Sequence, residues 1–375
     1  MTPHKILHLY SNHKWTGPAD HALNLAAWLK TREDVQAFFA SGRRPGVDNA
    51  LYEKARQRQL AIINGLFLKK HLSWKIIPDV VALKKITARQ HINLIHCHQD
   101  NDALTAVLAG FGNRMIRTCY DGEPSALNFR QRFFYRRSAK IMTASFRLQA
   151  HLGTIFPDKD IQQVDIPVDT DLFRPLEKSA RLLKEFGLQA GTPVGGIVAR
   201  VQKHRNFELL LDAIEQVAKA IPDFKFLIVG RGTHIDTVAR QPVKDRGLDR
   251  NVIFAGYRKE DYSDVLNLFD YKIFLVPGSD GSCRAVREAM ACAKPVIASR
   301  RGILPELIRD GETGILTEEK PADLARAMMT MIKDRDFRLS CSSAARQYAE
   351  TVLSPQRYVR KVIACYESIG MDRLE

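Results

Sequence analysis

No run of about eighteen apolar residues occurs in this chain of 375 residues, so no segment reads as a membrane-spanning helix. The opening stretch, Met1 to Tyr10, has too little apolar length for a secretory signal, and a cytoplasmic setting is the expectation. Cysteine is sparse. Cys97, Cys119, Cys283, Cys292, Cys341 and Cys365 are scattered, with neither metal-ligand spacing nor the density of a disulfide framework, and reduced thiols follow. Low-complexity tracts and internal repeats are absent, which excludes a fibrous or disordered chain. At 45% hydrophobic and 26% charged, what remains is ordinary globular material. The length exceeds the roughly 250–300 residues at which a single core stops growing, so two domains are expected.

Acids are the minority charge, 42 against 57 Lys and Arg, for a formal net charge of +15. A surplus of that size suits nucleic acid, an anionic membrane surface or anionic substrates. Nucleic acid would call for a basic strip with a recognisable reading motif, and none is present, so no nucleic-acid partner is expected. The basic residues gather in the first half. Lys69, Lys70, His71, Lys75, Lys84 and Lys85 alternate with Phe67, Trp74, Ile76 and Ile77, while Arg130, Arg132, Arg136, Arg137 and Lys140 surround Phe129, Phe133, Phe134 and Tyr135. That mixture suits a bilayer interface and a protein peripheral to the inner face of a membrane. Solvated helix faces over an aromatic core account for it equally well.

Apolar runs alternate with helical spacing along the chain. Strands are read at 6–10, 35–40, 92–98, 115–120, 139–144 and 164–168, with helices from 20, near 48–60 and near 79–90. A second series of strands is read at 194–199, 225–229, 251–255, 271–276, 295–298 and 314–316. Helices near 206–220, 233–247, 260–269, 283–292, 303–309, 321–333 and 335–351 accompany it, and Pro355 opens a last one. The reading is α/β, two doubly wound parallel sheets whose ligands sit outside the strand carboxyl ends.

The segment after strand 271–276 carries the most chemistry. Gly278 to Ser282 is loop, and Cys283 to Cys292 is a helix whose amino terminus faces back to the strand's carboxyl edge. Free amides and the helix dipole favour an anion there. Asp280 stands at the loop mouth and Glu288 about two turns into the helix, two carboxylates able to accept hydrogen bonds from sugar hydroxyls. After strand 194–199 come Arg200, Lys203, His204, Arg205 and Asn206, cations suited to phosphate oxygens. Gly17 opens a small-residue loop after the first strand, and His98 ends the strand that also carries His96 on the same face. Gly230-Arg231-Gly232 fails as a dinucleotide fingerprint because the third glycine is missing.

Together these segments resemble the retaining, two-domain nucleotide-sugar glycosyltransferases of family 4, the glycosyl transferases group 1. The resemblance covers nearly all of the second half and patches of the first. It implies the GT-B fold: two Rossmann-like domains facing across a cleft, residues 1–176 on the acceptor side and 177–354 binding nucleotide sugar, with a helix at 355–370 crossing back. It implies sugar transfer from a nucleoside diphosphate sugar to a hydroxyl acceptor, a glycan or glycolipid, as in lipopolysaccharide or other surface-glycan synthesis. Arg200, Arg205, His98 and Asp280 take the catalytic positions. Gly17, Lys203, Gly230, Tyr257, Gly281, Cys283, Arg284, Ala285 and Glu288 take the nucleotide-sugar positions. No cofactor and no metal are expected, since fixed cations stand where a divalent ion would neutralise the diphosphate. Asp280 replaces the usual Glu, Arg205 the usual Lys, Asn206 the usual Gly, and Tyr120 a frequent His. A non-catalytic paralogue binding nucleotide or glycan, or a GT-B epimerase, remains open beside the enzyme reading.

Overall fold

The structure is a computed structural model and describes residues 3–42, 49–120, 127–277 and 283–370. Asp280 and Gly281 lie outside the described residues. Two compact units divide the chain: one holds the residues up to Ile166 together with those from Pro355 on, and the other runs from Pro167 to Ser354.

In the first unit, strands β1 (His4–Tyr10), β2 (Val35–Ser41), β3 (Ala61–Ile62), β4 (Leu94–Cys97), β5 (Met115–Cys119), β6 (Lys140–Thr143) and β7 (Ile161–Gln163) form one parallel sheet in the order β3-β2-β1-β4-β5-β6-β7. Ile6, Leu7 and Leu9 are all fully buried, because helices cover both faces of a parallel sheet. The second unit repeats the plan with β8 (Val194–Val198), β9 (Lys225–Val229), β10 (Val252–Gly256), β11 (Tyr271–Phe274), β12 (Val296–Ser299) and β13 (Gly314–Thr317), ordered β10-β9-β8-β11-β12-β13 and again parallel. Each unit therefore has one place where strand order reverses, β1 beside β4 and β8 beside β11. A crevice opens at such a point on the carboxyl edge.

The final helix, Pro355–Glu367, belongs to the first unit. It buries Tyr358, Val359, Val362, Ile363, Cys365 and Tyr366 in the same cluster as helix Gly17–Leu29. The unit boundary falls between Ile166 and Pro167 rather than after residue 176. Residues 167–176 are held by the second unit: Phe173 lies in its core, Asn267 Nδ2 donates to Arg174 O (3.1 Å), and Arg346 Nη1 donates to Phe173 O (3.0 Å).

Two elements differ from the sequence expectation. The strand read at 164–168 is found at Ile161–Gln163; Val164 N still donates to Thr143 O, but Pro167, which has no amide hydrogen, follows close behind. The helix read at 233–247 divides into a π-helical turn, Asp236–Arg240, and a short helix, Gln241–Asp245. Pro242 removes one i→i−4 bond, and the widened turn absorbs the loss.

Candidate functional site

At the reversal point of the second unit, the loop after β8 carries the cations. Arg200 and Lys203 are exposed, with no side-chain hydrogen bond or ion pair among the described residues, so both charges stand available to an anion. Arg205 is half-buried and crosses to the neighbouring strand, its Nη1 donating to Val276 O beyond β11 (2.7 Å). That bond fixes the guanidinium at the β8/β11 crevice. Asn206 has φ 56° and ψ 40°, caps helix Phe207–Ala220, and donates from Nδ2 to Glu319 (3.2 Å). The left-handed conformation explains why glycine suits this position and why asparagine, with the least penalty among other residues, can replace it.

Helix Arg284–Ala291 follows β11 on the other side of the crevice. Its cap residue, Cys283, is buried and left-handed (φ 44°), directing the first-turn amides of Arg284 and Ala285 to the carboxyl edge. Glu288 is buried in the second turn. Tyr262 donates its hydroxyl to Glu288 Oε2 (2.7 Å), and Arg284 Nε donates to Oε1 (2.5 Å). Burial, followed by the neighbouring Glu288 charge, pushes the Tyr262 phenol well above its ordinary value, so it stays a donor. Beneath this turn lies Lys272, fully buried, with Nζ donating to Ala285 O. Burial lowers its ammonium to about 8, opposed chiefly by attraction to Glu288.

Gly230 brings two loops of this edge together. Its φ is +144°, and a Cβ would lie 2.0 Å from Ala199 O, so only glycine lets the turn after β9 close on the loop after β8. The next strand end presents Tyr257, 61% exposed, with the Arg231 guanidinium 4.7 Å from its ring centre. Tyr257, Arg231, Arg200, Lys203, Arg205 and Glu288 thus follow one another along the carboxyl edge of β10, β9, β8 and β11. Sequence reasoning missed Tyr262 and Lys272. Neither carries a local signal, because both meet Glu288's helix only through the fold.

In the first unit, Gly17 heads helix Gly17–Leu29 after β1, and His98 directly follows β4, so the two flank the β1/β4 reversal. Asp102 ties the ends of β1 and β4 together by accepting from Ser11 N (3.2 Å), His98 N (3.3 Å) and Gln99 N (2.9 Å). His98 itself is fully buried. Its Nδ1 meets Tyr120 Oη (2.8 Å) and its Nε2 meets His8 Nδ1 (3.1 Å), so contact with a sugar hydroxyl requires exchange of one of these partners. The Tyr120 phenol thus anchors His98.

His8, His96 and His98 form the one His, Cys or carboxylate group near metal-binding distance among the described residues. His96 and His98 stack face to face, 4.3 Å between centres and 15° between planes, so their in-plane lone pairs do not converge on one ion. Both His96 nitrogens are also engaged, by Tyr366 (2.6 Å) and Thr118 (2.6 Å). Burial drives His8 down to about 3 and holds His96 and His98 well below the ordinary range, so the cluster is a neutral hydrogen-bonded network.

Comparison with known proteins bears on the family and the fold. Residues 180–348 match the family described as glycosyl transferases group 1. N-acetyl-alpha-D-glucosaminyl L-malate synthase of Bacillus anthracis is 26% identical over 308 residues, which is 78% of this chain and 78% of that protein. The D-inositol 3-phosphate glycosyltransferase of Corynebacterium kroppenstedtii is 31% identical over 208 residues, but the match spans only 44% of that protein. Anabaena HepE, solved in complex with UDP, superposes with a TM-score of 0.80 over 97% of this chain and 100% of that one; at 20% identity it speaks to the fold. The two parallel-sheet units have the GT-B architecture, and the second unit carries a glycosyl transferases group 1 domain over residues 180–348.

Proposed function

We propose that the protein moves a sugar from a nucleoside diphosphate sugar to a hydroxyl acceptor with retention at the anomeric carbon, in the synthesis of a cell-surface glycan. The observation that carries this is Glu288: a buried carboxylate beside a helix amino terminus, facing a reversal point whose other side supplies Arg200, Lys203 and Arg205. In this reading Glu288 accepts from the ribose hydroxyls while Tyr262 holds its far oxygen. The exposed Tyr257 ring, stabilised by Arg231, takes the base. Arg200, Lys203, Arg205 and the amides of Cys283, Arg284 and Ala285 meet the diphosphate. They stabilise the charge that develops as the bond to the anomeric carbon breaks, which is electrostatic catalysis in a fixed field. Asp280 is assigned the donor sugar's hydroxyls and Gly281 the close approach of backbone to it, both by resemblance. Three cations suffice to neutralise a diphosphate, so no divalent ion is assigned. The acceptor side is read as peripheral to the inner face of a membrane.

Names among the relatives mention L-malate, D-inositol 3-phosphate and phosphatidylinositol monomannoside, with GDP-mannose specified for two, so the donor base is an experimental question. Protection against thermal unfolding by UDP-, GDP- and ADP-sugars should single out one nucleotide. The proton NMR coupling of the product's anomeric centre should then match the donor's configuration. Protection by none of the donors removes the nucleotide-sugar assignment, and an inverted product removes retention. Activity that EDTA stops and a divalent ion restores removes the metal-free assignment.

A further inference from the structure

The two basic-aromatic clusters, separated by more than forty residues in sequence, converge on one edge of the first unit. Helix Ile76–Gln90 leads into β4, and helix Phe129–Arg137 follows β5, so both begin on the carboxyl edge of the sheet. Two adjacent residues of helix Asp100–Leu108 hold them there. Asn101 Nδ2 donates to Lys69 O and Lys70 O, both at 2.9 Å, while Asp100 accepts from Gln131 Nε2 (3.0 Å) and pairs with Arg117 (3.0 Å). Asp79 accepts from Phe67 N (2.6 Å) and Leu68 N (2.9 Å), which fixes the loop that carries the lysines.

What this frame displays is unlike an ordinary solvated surface. Trp74 is 72% exposed, Ile77 68% and Phe129 80%, with Leu72 and Val81 about half exposed beside them. Ile77 and Val81, four residues apart on helix Ile76–Gln90, share a face, and Trp74 stands in the turn just before that helix, its carbonyl accepting from Ile77 N (3.2 Å). Lys69, Lys70, His71, Lys84, Lys85, Arg132 and Arg136 are exposed around them. Asp79 is the sole acid between residues 66 and 90, and it is buried in its internal bonds; residues 127–140 contain none. Large apolar side chains left in water and ringed by cations match a surface with apolar depth and negative charge.

We propose that this edge docks on an anionic lipid bilayer, with Trp74, Ile77 and Phe129 entering the interface and the basic ring meeting the headgroups. The docked edge is the one that carries Gly17 and His98 at the β1/β4 reversal. A membrane-held acceptor would therefore meet the first unit from its lipid side, a consequence that rests on the sugar-transfer reading. Docking itself does not.

The test is co-sedimentation of the full chain with vesicles of phosphatidylcholine containing phosphatidylglycerol, without any sugar substrate, so its outcome is independent of activity. Binding should rise with phosphatidylglycerol and fall as salt approaches about 0.5 M, where screening is strong. Lys69, Lys70 and Lys75 all changed to Glu should weaken binding about 100-fold, given the strength of each basic contact with an anionic surface. The same reversal at Lys184, Lys244 and Lys333, exposed in the second unit, should leave it within about twofold. Tryptophan emission should shift to the blue on binding, and Trp74→Phe should remove most of that shift, leaving Trp15 and Trp28 unchanged. Wild-type protein that ignores anionic vesicles at low salt overturns the proposal. Equal loss from both triple reversals reduces it to net charge and overturns it too. Lipid-free sedimentation showing a dimer that Trp74→Ala dissolves would assign the face to a second copy instead.

Discussion

Glu288 is where a single side chain decides most. Both of its oxygens are occupied, by Tyr262 and by Arg284, and only Arg284 is solvent-facing enough to yield its place. A ribose can therefore share or replace the Arg284 contact while Tyr262 keeps the carboxylate aimed. Glu288→Gln preserves shape and can still accept from Tyr262, but it loses charge and gives up an acceptor. Steady-state kinetics should show kcat/KM lower by about 100-fold, the scale of a lost hydrogen bond to a charged group, with the thermal midpoint little changed. A folded Glu288→Gln protein of near-normal turnover would falsify the assignment. Lys272 gives a second test, through pH. Its ammonium is lowered from the ordinary range near 10.5 to about 8, so between those values the unfolded chain binds more protons than the folded one. Stability from this group must then rise as pH rises from about 8 to 10.5, by an upper bound of about 3 kcal/mol. Below about 8 the full cost of the buried charge is present. In Lys272→Met, urea unfolding should lack that component of the rise, so the wild type should gain on the variant between pH 8 and 10. If the two proteins keep a constant difference across that interval, Lys272 is not held down in the fold.

Loops and helix caps, rather than strands, set the spacing of the cations. Gly230 brings the turn after β9 onto Ala199, and Asn206 turns the loop after β8 into its helix. Gly230→Ala forces a methyl group to 2.0 Å from a backbone carbonyl at a φ that L-residues avoid. It should cost on the order of 3 kcal/mol and displace Arg200 as well. Asn206→Gly loses the Glu319 bond but relaxes a left-handed residue, and should stay within about 1 kcal/mol of wild type. Paired chemical denaturation curves check both, and equal effects would refute this account of the loop. The same local rules explain what could be read in advance. Helices Pro321–Lys333 and Arg335–Thr351 were legible to the residue, because a proline at the start of one, the Asp334 cap of the other and 3.6-residue periodicity are all local signals. Strand Ala61–Ile62 was not, since two residues at a sheet edge make no pattern. The cation loop and the Glu288 helix were legible as chemistry. The enclosure of His98 by His8 and Tyr120 was not, because it is made by three strands far apart in sequence.

At the scale of the whole molecule, the chain does not finish where its second unit finishes. After Ser354 it returns to the first unit, and helix Pro355–Glu367 places six side chains into the cluster beneath β1 and helix Gly17–Leu29. Tyr366 also donates to or accepts from His96 Nδ1 at 2.6 Å, Lys140 pairs with Ser368 (2.8 Å), and Lys361 pairs with Asp165 (2.8 Å). The apolar contribution alone is roughly six times 1.5–3 kcal/mol, comparable with the 5–15 kcal/mol net stability of a typical domain. Exposing the stacked histidines adds a further cost, since their neighbours were arranged for a dry interior. The first unit should therefore fail to fold cooperatively without this segment, although the sheet itself is complete by Gln163. The second unit draws its core from residues 168–353 and loses nothing. A chain ending at Ser354 should keep one cooperative calorimetric transition, with protection from hydrogen exchange confined to strands β8 to β13. Exchange in β1, β4 and β5 should approach unfolded rates. Survival of protected amides in those three strands would show that the first unit's stability is independent of the returning helix, and the burial argument would fail with it.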